Sequence, residues 1–261
     1  MTRPNGCSER MGVCEMQVDW ATMSSNYANF AGILAGFVFS GIFLLLEDEK
    51  RDASEVISIL LVGCFGLLLT AFLFSNISGM EAETLDQDRI RMVSFHLLIA
   101  SIIFSIAIMQ MFLSLVFIFI LYQLPTQVIS LGKTIYYGSA LIATMFVIRT
   151  MPALYTDAAI LAALPRKLYL AVAVTVAILF IFSKLFRRKL DALFEHYFIM
   201  IITATFLFML LLVVLYNTQI HLKDIPVAGA QLIMGMFTIN MMINNFSINH
   251  EYRMMQANDK K

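Results

Sequence analysis

From Phe30 onward, long apolar blocks alternate with short charged or turn-rich stretches. Seven blocks stand out: Phe30–Leu46, Val56–Ile77, Val93–Leu121, Ile135–Met151, Leu168–Phe186, Tyr197–Tyr216 and Val227–Ile248. A helix needs about 20 apolar residues to cross a hydrocarbon core of about 30 Å, and all seven reach or approach that length. Lipid offers the backbone no hydrogen-bond partner, so each block must satisfy its own peptide groups as a helix. The pattern predicts an all-α, polytopic transmembrane helix bundle of seven spans, with six as the alternative. A polar N-terminal head over residues 1–28 and a polar tail over 249–261 flank the bundle, which occupies 29–248. Head and tail are too short to build cores of their own.

Two stretches resist simple assignment. The third block is 29 residues long. As a helix it would reach roughly 43 Å, so it must tilt, kink or project from the bilayer. The fourth ends at Arg149 and Pro152, and Ala153 to Leu164 then lies between Pro152 and Pro165, too short to span. That stretch reads either as an interfacial helix or as a re-entrant element lining a pathway, because non-spanning segments need protein or water to cover them. In the second case Arg149 and Asp157 are candidate gate residues.

Charge decides between the two span counts only weakly. With seven spans, Lys and Arg divide 8 to 10 between the side of the head and the opposite side; with six they divide 11 to 7. The six-span count has the better asymmetry and the seven-span count the better hydropathy; we take seven. Both put the tail in the cytoplasm.

Composition supports the bilayer as solvent: 60% hydrophobic, 14% charged, mean hydropathy +0.80. Net charge is zero, so no nucleic-acid partner is expected. The basic cluster Lys184, Arg187, Arg188 and Lys189 reads as a juxtamembrane anchor facing anionic lipid. The first 20 residues lack the apolar core of a cleavable signal. Of three cysteines, Cys64 reads as a small packing residue, while Cys7 and Cys14 are either free thiols or a pair. His96, His196, His221 and His250 show no ligand spacing, so no metal or other cofactor is expected. No catalytic constellation is present, and we expect no enzyme.

The uncharged polar residues are more informative. In the seventh block Gln231, Gly235, Thr238, Met242, Asn245 and Asn249 fall within about ±40° of one line at 100° per residue. Asn240, Asn244 and Ser247 cluster on roughly the opposite face. The stripe is either interhelical glue, worth about 0.6 kcal/mol per contact, or the lining of a hydrated pathway. In the latter case Gln231, Thr238, Asn245 and Asn249 would line it. The third block carries Ser94, Ser101 and Ser105 on one face and His96, Gln110 and Ser114 on the other. It should therefore sit centrally, with Ser101 and Ser105 as further lining candidates. In the first block Ala28, Gly32, Gly36 and Ser40 recur every four residues, with Ala31 and Ala35 beside them. Gly32, Gly36 and Ser40 are candidate close-packing residues, within the subunit or between subunits. Trp20 and Tyr27 suit an interface anchor.

The stretch Tyr27-Ala-Asn-Phe-Ala-Gly-Ile-Leu-Ala-Gly-Phe-Val-Phe-Ser-Gly, continuing to Leu46, resembles the opening helix of small bacterial multi-span membrane proteins of unassigned function. Some of these accompany antiphage defence modules as membrane-permeabilising effectors. The resemblance implies a bacterial inner-membrane protein, and a pore. An uncharged polar interior points the same way. The expected function is a channel-like or pore-forming protein, homo-oligomeric, with a gating partner or ligand. The alternatives are a membrane sensor or adaptor that binds a lipid or small apolar ligand, and a facilitator of a neutral solute.

Overall fold

The computed structural model describes residues 20–47, 53–79, 87–150, 187–218, 233–244 and 248. Apart from short turns and caps, these residues are helical. In chain order they form α1 (Trp20–Leu46), α2 (Ser54–Ser78), α3 (Gln87–Leu121), α4 (Thr126–Thr150), α5 (Arg187–Thr218) and α6 (Ile233–Asn244). Among the described residues, four helices are long and apolar enough to cross a membrane: α1, α2, α3 over Met92–Leu121, and α5 over Phe198–Thr218. The chain is thus compatible with an integral, multi-pass membrane protein. The fifth expected span, Leu168–Phe186, lies outside the described residues, as do the head, the tail and the stretch Ala153 to Leu164.

Two helices run further than apolarity alone would carry them. The fourth begins at Thr126 rather than Ile135. Its first nine residues include Gln127, Ser130, Lys133 and Thr134, which lower its apolarity below that of the four spanning helices without opposing helix formation. The fifth starts at Arg187 and continues through the sixth apolar block. Arg187, Arg188 and Lys189 are therefore its first turn, and about 15 Å of helix precedes Tyr197 at 1.5 Å per residue.

The α3–α4 turn is fixed by backbone chemistry. Gln123 has φ 50°. Its N–H donates to the Ile120 carbonyl at 3.0 Å, and the Leu124 N–H donates to the Phe119 carbonyl at 3.0 Å. This is a Schellman ending with glutamine where glycine is the usual occupant. Pro125 follows, and its carbonyl receives the Val128 N–H at 2.8 Å as α4 begins.

Helices α1 to α4 alternate in direction, and α5 runs the same way as α4. Tyr27 near the start of α1 packs on Phe74 near the end of α2, with ring centroids 5.3 Å apart, and on Phe146 near the end of α4 at 5.2 Å. His96 near the start of α3 stacks on Tyr216 near the end of α5, and Phe117 near the end of α3 on Phe198 of α5. So α3 and α5 are antiparallel, and Thr150 and Arg187 lie at opposite ends of the bundle. Helix α3 is the centre: from Met92 to Leu121 none of its residues is exposed. It packs on α2, α4 and α5.

Apolar spacing sets the α1–α2 contact. Ala31, Ala35, Val38, Ile42 and Leu45 recur every three or four residues and are buried. The Cys64 thiol on α2 approaches the Ala35 carbonyl at 3.6 Å. Across α2, Gly63 and Gly66 face α3. A Cβ on Gly66 would lie 2.9 Å from the Ala107 Cβ and 3.0 Å from the Met209 sulfur. Here a glycine is what lets α2, α3 and α5 meet.

Candidate functional site

Every apolar side chain in a lipid-dissolved bundle is at home, so the site is sought among buried polar groups. Four of them form one connected chain across three helices. It starts at the α5 backbone. The Thr205 hydroxyl donates to the Ile201 carbonyl at 3.1 Å, one turn earlier. Having spent its proton there, that hydroxyl serves its next neighbour as an acceptor, and Asn240 Nδ2 donates to it at 2.8 Å. This aims the Asn240 carbonyl oxygen at Asn244, whose Nδ2 lies 3.5 Å away, the weakest link. Asn244 Oδ1 in turn accepts from Gln110 Nε2 of α3 at 3.2 Å.

The single hydroxyl proton of Thr205 thus fixes the orientation of three amides in sequence. One group is left over at the far end: Gln110 Oε1 is buried and has no hydrogen-bond partner. All four side chains are buried, Gln110 to 2% residual exposure. Gln110 and Thr205 each sit within about 5 Å of the middle of their apolar spans at 1.5 Å per residue. Both are offset toward the end where α3 finishes and α5 begins.

Local sequence explains why the chain forms here. Asn240 and Asn244 are four apart, so they stack on one helix face. Phe237 and Ile233 continue that face and are buried with them. Gly63 of α2 lies behind Gln110, where an added Cβ would sit 3.4 Å from the Gln110 Cβ. On the α4 side, Thr144 Oγ1 reaches the Met241 sulfur at 3.4 Å.

The candidate residues named from the sequence fall in different places. Thr238 is half-buried, and its hydroxyl donates to the Met234 carbonyl of its own helix at 2.9 Å. Gly235, on the same stripe, is exposed and Met242 half-buried. Gln231, Asn245 and Asn249 lie outside the described residues, as does Asp157. Ser101 is fully buried and its hydroxyl has no partner; Ser105 reaches the Ala143 carbonyl of α4 at 3.5 Å. These two serines face α4, away from the amide chain. Arg149 lies in the last turn of α4. Gly32, Gly36 and Ser40 are exposed, and nothing lies within 4 Å of a Cβ built on either glycine. Their close packing is therefore not with the described part of this subunit. Ser40 bonds back to the Gly36 carbonyl at 3.0 Å.

Three members of the chain, Gln110, Asn240 and Asn244, belong to the polar clusters opposite the stripes favoured from sequence. Thr205 carries no distinguishing sequence signal. Thr203, two residues earlier, is exposed and bonds back within its helix at 2.8 Å. Only the register of α5 against α6 selects Thr205.

A second polar group lies at the end of the bundle where α3 starts. His96 is fully buried with its ring 4.0 Å from that of Tyr216. Neither ring nitrogen meets hydrogen-bond geometry, although the Tyr216 backbone approaches. No group of three His, Cys, Asp or Glu side chains suited to a metal occurs among the described residues. Comparison with protein-family models, with curated proteins and with solved structures finds no match.

Proposed function

We propose that this multi-span membrane protein is a passive, channel-like pathway, and that the chain from Gln110 through Asn244 and Asn240 to Thr205 is its closed constriction. The supporting observation is position: four uncharged polar side chains from three helices converge near mid-depth, where lipid would reject them singly. Interhelical hydrogen bonds in membranes are worth only about 0.6 kcal/mol each, a modest return for placing three amides there. The absence of acidic or basic side chains from this chain of bonds fits passive flow better than coupled transport, which uses ionisable groups at depth.

The seven-span reading is supported by the helix ends. Thr150 and Arg187 lie at opposite ends of the bundle, so α4 and α5 run in the same direction, as the fourth and sixth spans of a seven-span bundle do. The outward Gly32, Gly36 and Ser40 face supports a homo-oligomer, since small residues at that spacing admit a second helix closely. A bacterial inner-membrane location, a cytoplasmic tail and a role as a defence effector rest on the charge distribution and the first-span resemblance.

The test is flux. Purified protein in planar bilayers and in proteoliposomes should pass ions or small solutes above protein-free controls. Asn244→Leu, which removes two links of the chain, should change the size or selectivity of that flux. A well-folded protein that passes neither would end the pathway reading. If a lipid or small apolar ligand then raised its unfolding temperature, the sensor alternative would take its place.

A further inference from the structure

We infer that the permeant is a small neutral solute that both donates and accepts hydrogen bonds, of the water and urea class, and that Gln110 Oε1 is its docking atom. This rests on the pathway reading and goes on to name the solute. Thr205 donates to the Ile201 carbonyl, so Asn240, Asn244 and Gln110 must each point their N–H toward the next acceptor and their oxygen backwards. At the end of this relay stands one carbonyl oxygen, Gln110 Oε1, buried and unpartnered. Leaving such a group without a partner costs about 1–3 kcal/mol, so a donor belongs there.

A neutral donor suits this site better than an ion. A dehydrated cation needs a cage of oxygens in place of its water shell. Here the oxygens of Asn240, Asn244 and Thr205 each already accept one hydrogen bond, and Gln110 Oε1 alone of the four accepts none. No carboxylate belongs to the chain, and an uncompensated charge near mid-depth is far costlier than an unpaired amide. A neutral donor meets no such penalty. Each primary amide also has a second N–H beyond the one it gives along the relay. A solute that accepts as well as donates can therefore exchange bonds with successive amides as it moves. Urea does this, and so does water.

The experiment is stopped-flow light scattering on sized proteoliposomes, with urea and water as probes and potassium current measured on the same preparation. Wild-type vesicles should show urea permeability several-fold above empty vesicles. Gln110→Met keeps the side-chain length, removes the oxygen and should abolish that excess while the protein stays monodisperse in detergent. Thr205→Ser retains the hydroxyl that sets the relay direction and should keep more of the urea flux than a variant without it. Thr205→Val removes it and should lower urea flux. Urea and water permeabilities equal to empty vesicles, together with a potassium current, would overturn the solute assignment and leave the pathway standing. Neither flux nor current would overturn both. Undiminished urea flux in Gln110→Met would remove Gln110 Oε1 as the docking atom.

Discussion

Two pairs of glycines in this molecule look alike in sequence and sit in opposite surroundings. Gly32 and Gly36 on α1 are four apart, the spacing that brings helix backbones together in membranes. In the subunit they face outward, and a Cβ on either would meet nothing within 4 Å. Gly63 and Gly66 on α2 are three apart, embedded in an apolar run that draws no notice. Yet Gly66 lies where a Cβ would come within 3.0 Å of two neighbours. The buried face of α1 is instead its alanines, Ala31 at 0% exposure and Ala35 at 2%. Small-residue spacing thus marks a surface that permits close approach, but the register of the neighbouring helix decides whether anything approaches.

The contrast can be broken at its strong end. Gly66→Leu would drive a side chain into Ala107 and Met209 and should destabilise the bundle by about 3 kcal/mol, the upper range for overpacking. A thermal melt in detergent would read this as a large drop in midpoint. Gly66→Ala should cost less, because it adds only the Cβ and the Met209 side chain can move away, but the 2.9 Å approach to the Ala107 methyl, which cannot move, keeps it destabilising. An unchanged melt for both would mean that the α2–α3 contact is looser than the geometry requires.

Next in size is the amide chain. Asn244→Leu strands the Gln110 N–H and the Asn240 carbonyl oxygen and should cost about 1–2 kcal/mol. A double-mutant cycle with Gln110→Leu isolates the pair term, expected near 0.6 kcal/mol and below about 1.7. A coupling of zero would place these two side chains out of contact.

A third position asks where glycine is wanted and missing. Gln123 occupies positive φ at the end of α3. A β-carbon there costs about 1–2 kcal/mol, offset in part by the larger unfolded-state entropy of glycine. Gln123→Gly should therefore raise stability by about 0.5–1 kcal/mol, visible as a small rise in the melting midpoint. Loss of stability would contradict the Schellman ending.

The smallest expected effect is at the outward pair. Gly36→Ala should leave subunit stability within about 0.5 kcal/mol of wild type, since the new methyl meets no atom of the described subunit. Its sharper readout is association. If α1 is the oligomer contact, Gly36→Cys should cross-link in the native membrane and Gly32→Leu should abolish the cross-link. Cross-linking that survives Gly32→Leu would place the contact elsewhere.

Much of the fold was legible because lipid leaves so few options. Blocks one, two, three and six map onto α1, α2, the body of α3 and the body of α5. The central place of the third helix could be read from its polar residues on both faces. Less legible were helix ends. Apolarity marks where a helix meets lipid, whereas Thr126–Thr134 and Arg187–His196 are helical without being apolar. The site was only half visible. Asn240 and Asn244 announce a shared face by their spacing, and Gln110 is conspicuous in an apolar block. Thr205 is not, since a threonine can satisfy its hydroxyl on its own helix, as Thr203 does.

The sequence by itself determined that the chain dissolves in a bilayer and that its long blocks are helices. Both follow from local quantities: transfer energy summed over a window, and backbone groups that must bond within their own segment. It also determined that Asp, Glu, Lys and Arg are absent from the apolar blocks except for Arg149 and Lys184 near block ends. What only the tertiary structure decided is which polar face turns inward, which glycines meet a neighbour and in which direction the amide relay runs. Those depend on helix rotation and register, set by many small packing contacts between distant segments. The direction of the relay hangs on one proton, the one that Thr205 gives to Ile201.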